Sequence, residues 1–339
     1  MNNWINGNTD SNNIVLSSRV RIARNLDKVP FPHKLSEDES KDVISKVQDG
    51  FFKAIKDKES FGLISLDEIS KDEVQYYVEK HVISKKLSEN KNGAFILNKD
   101  ETLSIMINEE DHLRIQSITS GLNIKEAYDE ANKIDDFLEQ NLNYGFDEEI
   151  GYVTACPTNL GTGLRASAML HLPAITLNNE MNGVLKALTQ MGMTIRGIYG
   201  EGSKAEGNIY QVSNQITLGI SEEEIIRNLQ GTVSQIVNQE IKTRELVNNK
   251  FKYELEDKIF RSLAILKNSR LLSIEEGLEL LSNVRLGVEM GIIENITQKF
   301  LNELLVDCQP SSLKRILCKD LSNNEINFQR AKLVRERFN

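Results

Sequence analysis

The sequence predicts an α+β domain, an antiparallel sheet flanked by helices, followed by an all-helical domain. Three observations carry this. Strand-like segments and amphipathic helix patterns are interleaved through the first two-thirds of the 339-residue chain. The short turn Asn98-Lys99-Asp100-Glu101 joins two strand-like segments as a hairpin, a connection that suits antiparallel neighbours. From about Phe251 glycine thins out and apolar residues fall at helical spacing. These place a larger unit at residues 1–248 and a helical unit at 249–339.

Each element has its own signal. Four serines open helices with a reciprocal S-x-x-E cap: Ser36 with Glu39, Ser70 with Glu73, Ser221 with Glu224, and Ser273 with Glu276. After the first, Val43, Val47, Phe51 and Ile55 recur every fourth residue on one helical face. Strand-like pieces are GAFILN (93–98), TLSIMIN (102–108), GYVTA (151–155), MTIRGIYG (193–200) and NIYQVSNQITLG (208–219). In the C-terminal unit, Leu255, Ile259, Leu263 and Leu266, then Leu278, Leu281 and Val284, mark helices that dock on the first unit or pair with a copy of the chain.

The chain carries 41 basic and 50 acidic side chains, a formal net charge of −9. That balance argues against general affinity for nucleic acid or anionic membrane and suits cationic substrates. Cys156, Cys308 and Cys318 are odd in number and match no zinc spacing, so they read as reduced thiols of a cytoplasmic protein. The start, MNNWINGNTDSNN, has neither the basic nor the apolar region of a signal peptide. No apolar run approaches membrane-spanning length.

Against this acidic background SSRVRIARN (17–25) concentrates Arg19, Arg21 and Arg24. If the segment is extended, Arg19 and Arg21 share one face and Val20 and Ile22 the other, with Arg24 out of that register. Taken alone this is equally a solvated edge strand. Further arginines stand in suggestive places. Arg114 closes NEEDHLR (108–114), and Arg196 lies in a strand-like segment before the glycine-rich GIYGEGS. Arg165 stands in CPTNLGTGLRAS (156–167), where Gly161 and Gly163 allow close backbone approach to a ligand and RASAML opens a helix. Guanidinium groups grip phosphate oxygens at two points, and phosphoryl transfer is largely positioning plus charge stabilisation. Neither a Walker loop nor the protein-kinase motif set is present.

Together CPTNLGTGLRAS, SSRVRIARN, NEEDHLR and IRGIYGEGS resemble, in order, the active-site segments of the phosphagen (guanidino) kinase superfamily. Within it the chain is most similar to the bacterial protein-arginine-kinase branch, which lacks the small N-terminal helical domain of the metabolic enzymes and carries a C-terminal helical dimerisation domain. The resemblance implies ATP-dependent phosphorylation of arginine side chains in proteins. It implies that Arg19, Arg21, Arg114, Arg165 and Arg196 bind the nucleotide phosphates, that His81 packs near the adenine, and that Mg2+ arrives on ATP without a dedicated protein cage. Glu110 and Glu201 would hold the substrate guanidinium, with Cys156 beside it. His112 and His171 are left structural. The branch further implies a homodimer, a small zinc-binding activator protein as partner, and a stress-response role marking proteins for a Clp-type ATPase and protease. A metabolic guanidino kinase acting on free arginine, and an inactive ATP-binding adaptor, are the alternatives.

The chemistry explains the acids. Arginine has a pKa of roughly 13 to 14, so removing its proton at pH 7 would cost about 9 kcal/mol at ~1.4 per unit. A workable site aligns the nitrogen with phosphorus and takes the proton as the bond forms. Two carboxylates can hold the guanidinium plane and accept that proton, and which of the two is the base stays open. Alone, Glu109, Glu110 and Asp111 read as a solvated acidic turn, and Cys156 as a small buried hydrophobe. One departure stands out. Where the branch has R-D-x-x-R-A, a phosphoarginine pocket linked to activation, this chain has INFQRA (326–331). Arg330 and Ala331 fit, while Ile326 and Asn327 replace the arginine and aspartate, which predicts a weakened pocket with catalysis intact.

Overall fold

The computed structural model describes residues 4–5, 13–197, 205–319 and 321–339. Eight strands form one sheet: β1 (Val15–Arg24), β2 (Phe61–Ser65), β3 (Ala94–Asn98), β4 (Leu103–Ile107), β5 (Leu113–Ser120), β8 (Leu164–His171), β9 (Met193–Gly197) and β10 (Ile209–Asn214). A separate two-stranded hairpin pairs β6 (Phe146–Asp147) with β7 (Gly151–Tyr152). The sheet order is β2-β3-β4-β5-β1-β8-β10-β9, and every neighbouring pair is antiparallel. The turn at 98–101 joins β3 to β4 as the sequence predicts.

Between the strands lie α1 (Glu37–Ala54), α2 (Lys71–Glu79), α3 (Lys85–Ser88), α4 (Ile124–Glu139), α5 (Pro173–Leu177) and α6 (Met181–Gln190). Then come α7 (Glu222–Lys250), α8 (Lys252–Asn268), α9 (Ile274–Glu289), α10 (Gln298–Asp307), α11 (Pro310–Leu317) and α12 (Asn323–Phe338). All four predicted serine caps are present, Ser36 and Ser70 as full reciprocal boxes. A fifth, Ser322 with Glu325, opens α12. Val43, Val47 and Phe51 bury the inner face of α1, as their spacing predicts.

Three segments differ from the sequence reading. NIYQVSNQITLG is strand only over Ile209–Asn214, and residues 215–219 leave the sheet. RASAML continues a central strand, β8, and opens no helix. Its alternate residues Ala166 and Ala168 are small because β8 lies between β1 and β10 and is buried on both faces, and that smallness mimics helix composition. GYVTA pairs only at Gly151 and Tyr152. There Gly151, at φ +78°, abuts the backbone of Gly161, and a side chain would collide with it.

The two faces of the sheet have different fates. One carries Val20, Ile22, Ile105, Ile115, Ala166 and Val212 into a core closed by α1, α4 and α7. On the other, Ile118, Met169 and Ile209 join Trp4 and Leu16 in a second core with α8, α9, α10 and α12. The C-terminal helices thus roof one end of that face.

Polar ties fix the roof. His171, at the end of β8, is buried between Ser282 Oγ (2.8 Å) and Glu289 (3.4 Å) on α9. Glu289 also pairs with Arg244 of α7 at 2.8 Å. Glu79, the last residue of α2, accepts the backbone N–H groups of Ser311 (3.0 Å) and Ser312 (2.9 Å) at the start of α11. Buried Arg330 donates to the carbonyls of Cys308 (2.7 Å) and Leu272 (2.9 Å) and to Asn327 Oδ1 (2.7 Å). Asn327 therefore orients Arg330 without supplying a charge, and Ile326 packs inward.

The His171–Glu289 pair makes this roof acid-sensitive. Burial holds the His171 pKa below its ordinary 6.5, and Arg244 leads the charges that hold Glu289 below 4.5 against the penalty of burial. The unfolded chain therefore takes up each proton before the folded one does. Stability is full above about pH 6.5 and falls with pH, first as unfolded His171 protonates and again below about 4.5. The denaturant midpoint, followed from pH 7.5 to 4, should drop in both windows. His171→Asn should shrink the first drop, whose remainder comes from His81 and His112, also held below 6.5 by burial, and should leave the second; a midpoint indifferent to pH between 7.5 and 5.5 would contradict this.

Candidate active site

The pairing register builds the site. Arg21 of β1 lies opposite Arg165 of β8 on one side and Gln116 of β5 on the other. Ala23, two residues on, lies opposite Arg114, and Gln211 of β10 opposite Arg196 of β9. Directly opposed antiparallel residues share a face. Arg19, Arg21, Arg114, Arg165 and Arg196 accordingly share the face that the C-terminal helices leave open. Arg24 does not: buried on the other side, it pairs with Asp135 at 2.6 Å, donates to the Thr162 carbonyl and lies over the Tyr152 ring. The third arginine of SSRVRIARN is a structural ion pair.

The open arginine face floors a cleft of about 620 Å³, whose walls include His81, Gln116, Gln211 and, from the C-terminal helices, Gln309. Its electrostatics are those of an anion site. Burial first, then the charges of Arg196, Arg114 and Arg165, lowers the Arg19 pKa to about 10. Burial and then Arg19 push Arg21 well below the ordinary arginine range, and Arg165 is lowered likewise by burial and by Arg196. Their protein partners are mostly neutral: Gln211 Oε1 for Arg19 (2.8 Å) and Ser213 Oγ for Arg165 (3.4 Å). Among the described residues, the buried Nε atoms of Arg21 and Arg165 and Gln211 Nε2 donate to nothing. Charge-assisted bonds to phosphate oxygens would satisfy donors of this kind.

At one edge of this floor the turn between β4 and β5 carries the acids. Asn108 adopts φ +57°, and the turn closes through Glu109 N to Asp111 O at 3.1 Å. Buried Glu109 accepts from Arg114 at 2.5 Å and from Ser84. Glu110 is partly exposed, 3.5 Å from Arg114, on a second hollow of about 520 Å³ that it shares with Ala155, Pro32 and His33. Asp111 Oδ1 accepts from Asn25 Nδ2 and from Ala155 N, both at 2.7 Å, which ties the segment bearing Cys156 to the acidic turn. Cys156 Sγ lies 3.0 Å from Thr158 Oγ1, and the thiol is near enough to Arg165 to act on its charge. His112 is structural, accepting from Leu26 N at Nδ1 (3.1 Å) and bonding the Pro30 carbonyl through Nε2.

Of the nine site residues named from the sequence, Arg19, Arg21, His81 and Arg196 line the cleft, Arg114 and Arg165 share its sheet face by register, Glu110 lines the second hollow, Cys156 follows the segment tied to the acidic turn, and Glu201 lies outside the described residues. His81 is on the cleft wall, at φ +62°, its pKa lowered to about 3 by burial and the Arg19 charge. The neutral ring suits contact with a base. The glycines of CPTNLGTG serve a different partner than predicted. A Cβ at Gly161 would lie 2.3 Å from the Thr217 carbonyl, and one at Gly163 2.6 Å from that of Ala23. The close approach is to the protein's own backbone. Sequence reasoning missed Glu109 and Asp111 as positioning groups and Gln211 as an arginine partner. Gln211 had a signal: in YQVSN it alternates with Tyr210 and Val212, which puts it on the polar face of the strand.

Two families match. The ATP:guanido phosphotransferase C-terminal catalytic domain covers residues 42–243, and the protein-arginine kinase McsB C-terminal domain covers 252–339. A protein-arginine kinase of Clostridium acetobutylicum is 57% identical over 337 residues, covering 99% of both chains. One of Clostridium kluyveri is 58% identical over 340 residues, 100% of this chain and 99% of the other. Among solved structures, lombricine kinase aligns with a TM-score of 0.59 at 25% identity, over 69% of this chain and 68% of that one. The duplicated taurocyamine kinase of Schistosoma mansoni, with transition-state-analogue components bound, gives a TM-score of 0.63 at 23% identity, over 79% of this chain and 39% of that one, and agrees in fold.

The electrostatics generate a test. Because the enclosed arginines repel one another, Arg21→Gln should stabilise the nucleotide-free protein, by about 1 kcal/mol in denaturant titration. The same change should weaken inorganic tripolyphosphate binding at least ten-fold by calorimetry. A destabilised variant with normal tripolyphosphate affinity would refute the anion-site reading.

Proposed function

The chain belongs to the ATP:guanido phosphotransferase family, and on that premise we propose that it transfers the γ-phosphoryl group of ATP to arginine side chains in proteins. The observation that carries the reading is one juxtaposition. Five arginines on a single sheet face meet an acidic turn at their edge, so a polyanion and a cation can be held side by side. The relatives named above act on protein arginine by their printed names.

In this mechanism Arg19, Arg21, Arg165 and Arg196 fix the triphosphate, and Arg114, steadied by Glu109, faces the transferred group. Magnesium would ride on the phosphate oxygens and neutralise part of their charge. Glu110 holds the incoming guanidinium from the second hollow, Glu201 is its proposed partner, and Cys156 lies alongside. A carboxylate is far too weak a base to deprotonate free guanidinium, so the proton passes to one of the two glutamates as the N–P bond forms, the bond from phosphorus to the ADP oxygen breaks and the nitrogen's basicity falls. Asp111 keeps the cysteine segment in register with the turn.

The proposal extends to residues 1–248 as the catalytic unit and 249–339 as a dimerisation unit. Exposed Leu246 on α7, Tyr253, Phe260 and Ile265 on α8, and Leu271 just after α8 support a homodimer surface there. Cytoplasmic location, a small zinc-binding activator partner and marking of proteins for a Clp-type ATPase complete the reading, on the strength of the branch alone.

Incubation with γ-labelled ATP should place acid-labile phosphate on a basic unfolded protein and little on free arginine. Label on free arginine alone would indicate a metabolic guanidino kinase, and none at all an adaptor. Glu110→Gln and Glu201→Gln should each lower the rate by about 10²–10⁴-fold; full activity in both would dismiss the acid assignment.

Asn327 and Ile326 bear on regulation. With a neutral orienter at Asn327 and isoleucine at 326 in place of arginine, the segment around Arg330 should respond weakly to phosphoarginine. A phosphoarginine peptide titrated against activity should produce little or no activation, and strong cooperative activation would contradict this.

A further inference from the structure

The β6–β7 hairpin carries side chains that the mechanism above leaves unused. Phe146 and Ile150 are exposed at its tip, on either side of Asp147, Glu148 and Glu149, which are exposed as well. Asp147 Oδ1 accepts from Glu149 N (2.9 Å) and Ile150 N (3.1 Å), which fixes that tip. The Phe146 ring meets the Tyr152 ring edge-on at 5.1 Å. Further apolar side chains adjoin the hairpin. Tyr152 N donates to the Gly161 carbonyl at 2.8 Å, and Gly161 abuts the backbone of Thr217 and Leu218. Ile216 in turn packs on Gly192, beside Met191. Phe146, Ile150, Met191, Ile216 and Leu218 are 39–60% exposed, a surface of the kind that takes a partner. Resting on the reading of protein arginine as substrate, we propose that it docks the substrate polypeptide: an unfolded segment whose apolar and second basic side chains lie within about six residues of the target arginine.

Three observations name the occupant. The surface is built onto the substrate end of the site. Asn25, which donates to Asp111 in the acidic turn, also donates to the Val153 carbonyl, and Gly145 N donates to the Asn25 carbonyl. Thr217 Oγ1 donates to the Thr158 and Leu160 carbonyls of the cysteine loop. Tyr152 is four residues from Cys156, a link that spans at most about 14 Å. An extended peptide advances about 3.3 Å per residue, so one with its arginine at Glu110 and Cys156 reaches the surface within a few residues. Charge is the second observation. The chain has no basic side chain between Lys133 and Arg165, so the three exposed carboxylates favour a lysine or a further arginine of the substrate. A two-fold contact between copies would instead bring these acids against each other. Finally, large apolar side chains free to reach a surface are those of an unfolded chain, because folded proteins bury most of them.

The test uses the full-length protein, γ-labelled ATP and two synthetic peptides with one central arginine. One peptide has leucine, phenylalanine and lysine on both sides of it, the other serine and glycine. The first should show a KM about ten-fold lower at similar kcat, an advantage that shrinks with added salt. The double change Phe146→Ser with Ile216→Ser should raise KM for the first peptide about ten-fold. It should leave kcat, KM for ATP and KM for the second peptide as they were. Glu148→Lys with Glu149→Lys should abolish the salt dependence and part of the preference. Equal KM for the two peptides in wild-type protein would overturn the proposal. So would a serine double variant that treats both peptides as wild type does or weakens both alike, or one whose only change is a smaller mass in solution, the mark of an interface between copies. If that variant fails to fold, the wild-type peptide comparison and the glutamate variant decide. Wild-type protein that labels free arginine and neither peptide would instead remove the protein-substrate reading on which this rests.

Discussion

Like charge gathered on one sheet face is the constraint on which the rest of this structure depends. Five guanidinium groups face the same way because antiparallel pairing puts opposed residues on one side, and the register brings Arg21 opposite Arg165 and Ala23 opposite Arg114. The arrangement opposes folding, since burial and mutual repulsion both disfavour the charged forms. It persists because the opposite face, packed with Val20, Ile22, Ala166 and Val212 against α1, α4 and α7, over-determines the strand register. A one-residue slip of β1 would turn Arg19 and Arg21 into that core.

The protein separates its structural charges from its functional ones by the depth of pairing. Arg24 meets a buried carboxylate at 2.6 Å and an aromatic face, and its donors are spent on the fold. Arg19 and Arg165 lean on amide and hydroxyl oxygens, which orient a guanidinium without cancelling its charge, while Arg114 alone of the five is held by carboxylates among the described residues. The acids follow the same division. Glu109 is consumed by Arg114 and Ser84, and Asp111 by Asn25 and the Ala155 backbone, which leaves Glu110 partly exposed to meet an incoming cation.

The C-terminal helices belong to this same economy of contacts. They cover the end of the arginine face where Ile118, Met169 and Ile209 replace charge with apolar surface, and they bring Gln309 to the cleft wall. Glu79 joins the two regions directly: it ends α2, two residues before His81, and caps α11. A change in the cleft around His81 therefore has a short covalent and hydrogen-bonded path to the helical region, and the His171–Glu289–Arg244 cluster provides a second tie from β8.

By itself the sequence determined the signals that are local. Alternation placed Arg19 and Arg21 opposite Val20 and Ile22, S-x-x-E spacing marked four helix starts, and four ordered motifs identified the chemistry. These depend only on neighbours in the chain and on the periods of strand and helix. Tertiary structure alone decided what distant segments become to one another. Nothing near Arg24 reveals Asp135, and nothing near Asp111 reveals Ala155. RASAML looks helical until β1 and β10 flank it, and the glycines of CPTNLGTG seem free for a ligand until Thr217 and Ala23 arrive. Trp4 reads as one apolar residue in a polar N-terminus until the fold sets it beside His81 and Gln211. Partners of that kind are fixed by packing and register across the whole sheet, and no short window of sequence contains them.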